Sequence, residues 1–349
     1  MEYRQLGGSG LRVSKLCLGT MIGFTEENFK EAARIIDEAV DSGINFVDTA
    51  DCYGDGESER TVGRALAEGG KRHKVVLATK FGWYMGEGAN DYGASREHII
   101  RACEESLRRL RTDYIDLYIV HVVDPNTPME ETLYALDTLV RQGKVRYIGT
   151  SKHPSFMILE GIFVSERYGW ARFVSEQPPY NILDRTAENE LIPMCMRYGV
   201  GITPYYPIAS GLLSGKYRLG REVPEGRFSK AKLDGSKIFT TKALEAVEKL
   251  VPLAEERGVT LAEFSLAWVM QQPGVTSAIL GARKLEYLRS GLRACEIELT
   301  EEELEAVDEI VPPGRFVSNF YESNVYRPLR GGYSRGLRGA GAFIPYNRG

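Results

Sequence analysis

Eight runs rich in valine, isoleucine and leucine recur along the chain with helix-period segments between most of them, and this alternation limits the fold more than any other feature. The runs are SKLCLGTM, INFVDTA, KVVLATKFG, YIDLYIVHV, VRYIGTS, RFVSEQPPY, GITPYYPI and TSAILGA. Near-continuous apolar runs are the mark of strands buried on both faces, as in parallel sheets covered by helices. Between them, NFKEAARIIDEAVDSG places Ala33, Ile36 and Ala39 on one inner face with Gly43 as a stop. SREHIIRACEESLRRLRT opens at Ser95 and His98 as a cap and first turn, and PMEETLYALDTLVRQGK opens with proline, whose missing N–H costs nothing there. Eight such strands predict an α/β fold of the (β/α)8 TIM barrel type. An open doubly wound sheet is the rival; its nucleotide-binding form carries GxGxxG after an early strand, and this chain has none.

The remaining segments decorate the barrel. Residues 3–14, with GGSG at their centre, read as an N-terminal β-hairpin. Residues 82–94 and 209–237 are long insertions after the third and seventh strands, at the strand ends where barrel enzymes place their chemistry. Extra helices over TKALEAVEKLVPLAEERG and TLAEFSLAWVMQQPG precede the eighth strand. The chain of 349 residues is expected to form one domain over 1–349, with the barrel at about 14–311 and a long C-terminal tail or lid over 312–349.

Charge and cysteine usage narrow the partners. A formal net charge of −4 argues against general binding to nucleic acid or acidic membranes and favours a small molecule. Cys17, Cys52, Cys103, Cys195 and Cys295 form no CxxC pair and read as reduced thiols. With no signal-like N-terminus and no membrane-length apolar run, the expected location is cytoplasmic and no membrane partner is expected.

Polar side chains gather where the strands end. The second strand delivers Asp48 and, after a short turn, Tyr53; the third delivers Lys80 and the fourth His121. In a barrel these ends share one mouth. A phenol with an ordinary pKa near ~10 needs a fall of roughly 3 units to donate well near neutrality. An ammonium about 4 Å away supplies roughly 4 kcal/mol at an effective dielectric near ~20, so Lys80 is a perturbation of the right size. Asp48 is expected on the far side of that lysine, and His121 is expected to hydrogen-bond a substrate oxygen. Taken singly, each residue is more often structural: a helix cap, a snorkelling lysine, a packed histidine. Four on neighbouring strand ends favour chemistry. Asp51, Asp55, Glu57 and Glu59 read as solvated loop and first-turn acids. No metal site is expected, because the acids lack histidine or cysteine ligands at suitable spacing other than Cys52. GLLSGKY falls one residue short of a P-loop, yet its lysine and glycines, with Arg227 downstream, suit a pyrophosphate.

The ordered blocks NFVDTADCYGDGESERTVGRAL, VVLATKFG, YIDLYIVHVVDP, GKVRYIGTS, SEQPPYNILDR, PYYPIASGLLSGKY and ILGAR resemble the aldo/keto reductase superfamily to about Val311. The resemblance implies a barrel that binds extended NADP(H) without a Rossmann motif, and a catalytic tetrad of Asp48, Tyr53, Lys80 and His121 with Tyr53 as general acid/base. It implies that Ser151 and Gln177 hold the nicotinamide carboxamide, with Lys152 standing where asparagine is usual. Tyr205 would stack on the ring, and Gly19, Thr20 and Met21 would touch it from the first strand. Pro207, Ile208, Ser210, Lys216 and Arg227 match the pyrophosphate loop. In ILGAR, Gly281 and Arg283 match the 2′-phosphate side, which favours NADP over NAD. Tyr287 and Gly291 replace usual adenine-side residues, and Tyr206 replaces a serine. Trp83 and Tyr84, with Tyr92 in the same loop, are the candidate substrate contacts, for a sugar or polyol first and an aryl carbonyl second. The tail adds Phe316, Phe320, Tyr321 and Tyr326 as lid candidates. Its Arg315, Arg327, Arg330, Arg335 and Arg338 suit an anionic group, solvent, or a neighbouring copy in a homo-oligomer. Within this superfamily, the alternative to an enzyme is a regulatory subunit of the potassium-channel β type.

Overall fold

A computed structural model describes residues 1–320. The eight strand runs become eight parallel strands: β3 (Leu16–Gly19), β4 (Phe46–Asp48), β5 (Val76–Phe81), β6 (Ile115–Val120), β7 (Val145–Ser151), β8 (Phe173–Gln177), β9 (Gly201–Ile202) and β10 (Ala278–Gly281). Each pairs in parallel with its neighbour, in the order β10-β3-β4-β5-β6-β7-β8-β9. The seam between β9 and β10 is closed by single contacts. Ile202 bridges Val275, the Thr276 amide donates to the Ile202 carbonyl at 2.8 Å, and that of Ile279 donates to the Pro204 carbonyl at 2.9 Å. The seventh run is therefore shorter as regular strand than its sequence suggests. Pro204 and Pro207 have no amide to give, and Tyr206 sits at φ 61°, so the extended chain stops pairing regularly after Ile202.

Helices α1 (Phe29–Asp41), α2 (Glu57–Glu68), α3 (Arg96–Leu110), α4 (Met129–Arg141), α5 (Ser155–Tyr168) and α6 (Leu191–Tyr198) alternate with the strands. Then α7 (Thr241–Glu256) and α8 (Leu261–Gln271) precede β10, and α9 (Leu285–Ala294) and α10 (Glu301–Ile310) follow it. Among the described residues no helix is long and apolar enough to cross a membrane. The inner face of α1 is centred on Ala32, Ile35, Ile36 and Ala39, with Ala33 only half-buried. That is one position round from the expected face, within the drift of a 3.6-residue turn. Its stop is Gly43 at φ 89°, as expected. The Ser95 hydroxyl accepts from the His98 amide and starts α3, whereas Pro128 stands just before α4 rather than inside it.

Two apolar layers result. An outer one lies between sheet and helices; an inner one joins Cys17, Phe46, Ala78, Leu117 and Ile119. The hairpin of β1 (Tyr3–Gln5) and β2 (Arg12–Ser14) pairs antiparallel and sends Leu6 and Val13, both 0% exposed, into that inner layer. It plugs the end of the barrel opposite the strand C-termini, leaving the other end for chemistry. Gly7 makes this fit: at φ 56°, an added Cβ would lie 2.4 Å from the Val174 carbonyl oxygen and 2.5 Å from that of Gly199. Gly10, three residues away in the same hairpin, has no atom within 4 Å of that position. Gly7→Ala is expected to destabilise the fold by about 3 kcal/mol in urea unfolding and Gly10→Ala by less than about 0.5 kcal/mol. Equal values for the two would show that the plug does not depend on this close approach.

Candidate active site

The turn after β4 brings the site together. Gly54, Asp55 and Gly56 all take positive φ, at 58°, 51° and 82°, and reverse the chain into α2. This returns Tyr53 to the mouth beside Asp48. From β5, the Lys80 ammonium donates to Asp48 Oδ1 at 2.6 Å, to the Thr49 carbonyl at 2.7 Å and to Tyr53 Oη at 3.1 Å. All three of its donors are thus spent. The second Asp48 oxygen accepts from Gln177 Nε2 at 2.8 Å, so both carboxylate oxygens are engaged away from the phenol. Because Lys80 donates to the phenol oxygen, the phenol's own proton is free of that bond. His121, 6% exposed, lies edge-on to the Tyr53 ring at 5.8 Å between centroids.

Electrostatics differ from the sequence expectation in one respect. Burial raises the Tyr53 phenol, the Lys80 charge lowers it and Asp48 raises it again; the outcome is pushed up to about 12 rather than lowered. The expected effect of Lys80 is present, but it is outweighed by taking the phenolate out of water. Burial opposes the Lys80 charge too, and Asp48 and Tyr53 overcome it, holding the ammonium above its ordinary range. Burial, then the Lys152 and Lys80 charges, hold His121 well below its usual value, so its imidazole is neutral. The site therefore rests as a protonated phenol, an ammonium, a carboxylate partner and a neutral imidazole.

These groups open into a cavity of about 1240 Å³. Gly19, Thr20, Met21, Ser151, Lys152, Gln177 and Tyr205 line it near the tetrad, and Pro207, Ile208, Ser210, Lys216 and Arg227 line it further out. Gly281, Arg283 and Tyr287 line it as well. Its size exceeds that of a pocket for one drug-sized ligand and suits a dinucleotide with room to spare. Lys216, Arg227 and Arg283 are cations on the wall of the same cavity, of the kind that fits the phosphates of such a molecule. Arg227 donates to the Ser210 hydroxyl at 3.0 Å, joining the two parts of the loop after β9. Ala209, Ser210 and Gly211 all have positive φ there, an uncommon backbone of the kind that gathers at functional loops. Near the tetrad, Ser151 donates to the Gln177 carbonyl at 3.0 Å, and Lys152, at φ 61°, lies 5.3 Å from the Trp83 ring and 5.8 Å from that of Tyr205. Burial lowers the Lys152 amine to about 8.

Several sequence expectations need correction. Tyr84 is not on the cavity wall; its ring packs on Tyr92 at 4.6 Å, while Trp83 does line the cavity. Asp51 and Glu59 are not solvated, since both are 0% exposed. Glu59 accepts from Thr79 and Arg109, each at 2.5 Å, and α2 follows Gly56, which offers no side-chain cap. Arg109 comes from α3, fifty residues on, which no local pattern could show. Gly291, which lacks an adenine-side side chain, has a packing reason: a Cβ there would lie 2.3 Å from Leu280 Cδ2, so its smallness lets α9 lie close on β10. Cys52, Tyr217, Gly226 and Ser290 also line the cavity without having been singled out as ligand contacts. Of the tail, Phe320 is buried with its ring 5.6 Å from Tyr206 on the cavity wall, while Phe316 is exposed. Tyr321, Tyr326, Arg327, Arg330, Arg335 and Arg338 lie outside the described residues.

The chain belongs to the aldo/keto reductase family, whose model matches residues 15–312. It is 40% identical over 324 residues to "Uncharacterized oxidoreductase YrpG" of Bacillus subtilis (strain 168), covering 90% of this chain and 97% of that protein. It is also 36% identical over 318 residues to proteins named "Probable voltage-gated potassium channel subunit beta" in Oryza sativa subsp. japonica and Arabidopsis thaliana, covering 89% of this chain and 97% of each.

Proposed function

We propose that the chain is an NADP(H)-dependent oxidoreductase that interconverts an aldehyde or ketone and the corresponding alcohol. The observation that carries this reading is the Lys80 ammonium bound at once to Asp48 and to the Tyr53 oxygen on the wall of a dinucleotide-sized cavity. The bound nicotinamide supplies hydride chemistry. In reduction, Tyr53 donates its phenolic proton to the substrate oxygen, as general acid. Lys80 stabilises the phenolate left behind, and Asp48 keeps the ammonium charged and aimed. His121, neutral, offers a ring N–H to the same substrate oxygen. In alcohol oxidation, Tyr53 takes the proton back. Burial, which pushes Tyr53 up to about 12, keeps the phenol protonated at neutral pH, so the proton to be donated is in place, while the weakened acidity leaves more of the task to the Lys80 charge.

Ser151 and Gln177 suit the carboxamide of the nicotinamide, since each keeps an acceptor lone pair beyond the bonds described. Lys216, Arg227 and Arg283 suit the pyrophosphate and a 2′-phosphate, which supports NADP(H) over NAD(H). Trp83 beside His121, with ring centroids 6.1 Å apart, supports a flat or sugar-like substrate. The test is a panel of sugar, polyol and aryl carbonyls and alcohols with NADPH, NADH and their oxidised forms, followed by nicotinamide absorbance. Faster turnover with NADPH on at least one carbonyl is expected, and no turnover on any would sink the reading. Similarity to the two plant proteins named as channel β subunits supports a second reading, a cofactor-binding regulatory subunit. Cofactor binding without turnover, together with co-purification of a membrane channel, would put that reading first.

A further inference from the structure

Asp51 is used neither by the fold's polar network nor by the proposed chemistry. It is 0% exposed, yet among the described residues neither carboxylate oxygen has a hydrogen-bond partner. Glu59, eight residues on and equally buried, is satisfied by Thr79 and Arg109. A buried carboxyl left without partners is costly and calls for a specific reason. Burial first, then the Glu59 charge, push it well above the usual carboxylate range, against weaker help from Arg109 and from the adjacent Cys52 amide, whose contact falls short of hydrogen-bond geometry. Beside it, Cys52 Sγ lies 3.6 Å from His121 Nδ1.

One ligand atom from each of Asp51, Cys52 and His121 lies within 4.8 Å of the others. A tetrahedral zinc ion with Zn–S of about 2.3 Å and Zn–N of about 2.0–2.1 Å holds sulfur and nitrogen about 3.5 Å apart. The observed 3.6 Å matches that spacing. Only the carboxylate has to close in, by about 1 Å, to complete a three-ligand face. Cys52 and His121 line the cavity, so an ion can reach them. A thiolate and an imidazole with one carboxylate select a borderline ion such as zinc over magnesium or calcium, which prefer oxygen alone.

We propose that Asp51, Cys52 and His121 form a zinc-type divalent cation site at the floor of the catalytic cavity. On binding, the Cys52 thiol and the Asp51 carboxyl release their protons to solvent, and His121 gives its Nδ1 lone pair. No electrons are transferred.

The test is a titration of the reduced full chain with Co²⁺, read by the thiolate-to-cobalt absorption band. One ion per chain is expected, displaced by Zn²⁺, with the band lost in Cys52→Ser and retained in Cys295→Ser, which removes another half-buried thiol. Loss of even an outer partner of a ligating histidine costs roughly tenfold in metal affinity, so Asp51→Asn should weaken binding roughly tenfold or more. Circular dichroism establishes that each variant is folded. Should Cys52→Ser not fold, Asp51→Asn and Cys295→Ser decide the matter between them. No band in the wild type would reduce the trio to a thiol hydrogen bond on imidazole and overturn the site. So would a band that survives in folded Cys52→Ser, or unchanged affinity in Asp51→Asn. Because these readouts need no substrate, their failure is distinct from a failure of carbonyl reduction.

Discussion

Tyr53→Phe is expected to lower kcat for carbonyl reduction by roughly 10²–10⁴-fold, the usual worth of a positioned general acid, while leaving NADPH binding by fluorescence unchanged. The ring itself is kept, so its packing against His121 and beneath the Lys80 ammonium, 4.8 Å from the ring centroid, survives the change. What goes is one oxygen: the acceptor of a Lys80 bond and the carrier of the transferred proton. Kinetics should show the loss in kcat and in kcat/KM alike, because the interaction is made in the transition state. Near-normal turnover on any accepted carbonyl would remove Tyr53 from the mechanism.

Lys80→Met is expected to cost both stability and turnover, by separable routes. The ammonium and Asp48 are 2% and 3% exposed as side chains, with 2.6 Å between them. Removing one partner of such a buried pair costs about 3–5 kcal/mol, since the other charge is left uncompensated. Turnover should fall by roughly 10²–10³-fold, the worth of one preorganised group aimed at developing charge. Asp48→Asn combined with Lys80→Met separates the two effects. The double variant should regain much of the stability in urea unfolding, because no lone charge remains, yet stay as slow as Lys80→Met. A double variant that regained turnover would mean that Lys80 matters as a partner for Asp48 and not through its field on Tyr53.

The meeting of Asp48, Tyr53, Lys80 and His121 was legible because each lies at or just beyond an apolar run with strand character, and a barrel brings strand ends to one mouth whatever their separation in sequence. Asp48 closes β4, Lys80 lies in β5 and His121 follows β6, and their order needed no contact information. Glycines at 54 and 56 gave away the turn that returns Tyr53, since positive φ is a local property. The hairpin and the two long insertions were legible for the same reason, whereas the hairpin's place as a plug in the barrel was not.

Burial and long-range pairing were not. Asp51 and Glu59 look alike as acids in a glycine-broken stretch, and only the packing of α3 against α2, which carries Arg109 to Glu59, separates a satisfied carboxylate from an unpartnered one. Tyr84 and Trp83 are adjacent, and only the loop's path decides that one ring faces the cavity and the other faces Tyr92. The direction of the Tyr53 shift likewise depended on the balance between removing the phenolate from water and the nearby Lys80 charge, and burial won. Periodicity and turn chemistry are set within a few residues and can be read from the chain by itself. Partners, exposure and local dielectric are sums over segments far apart in sequence, so the tertiary structure alone decided them.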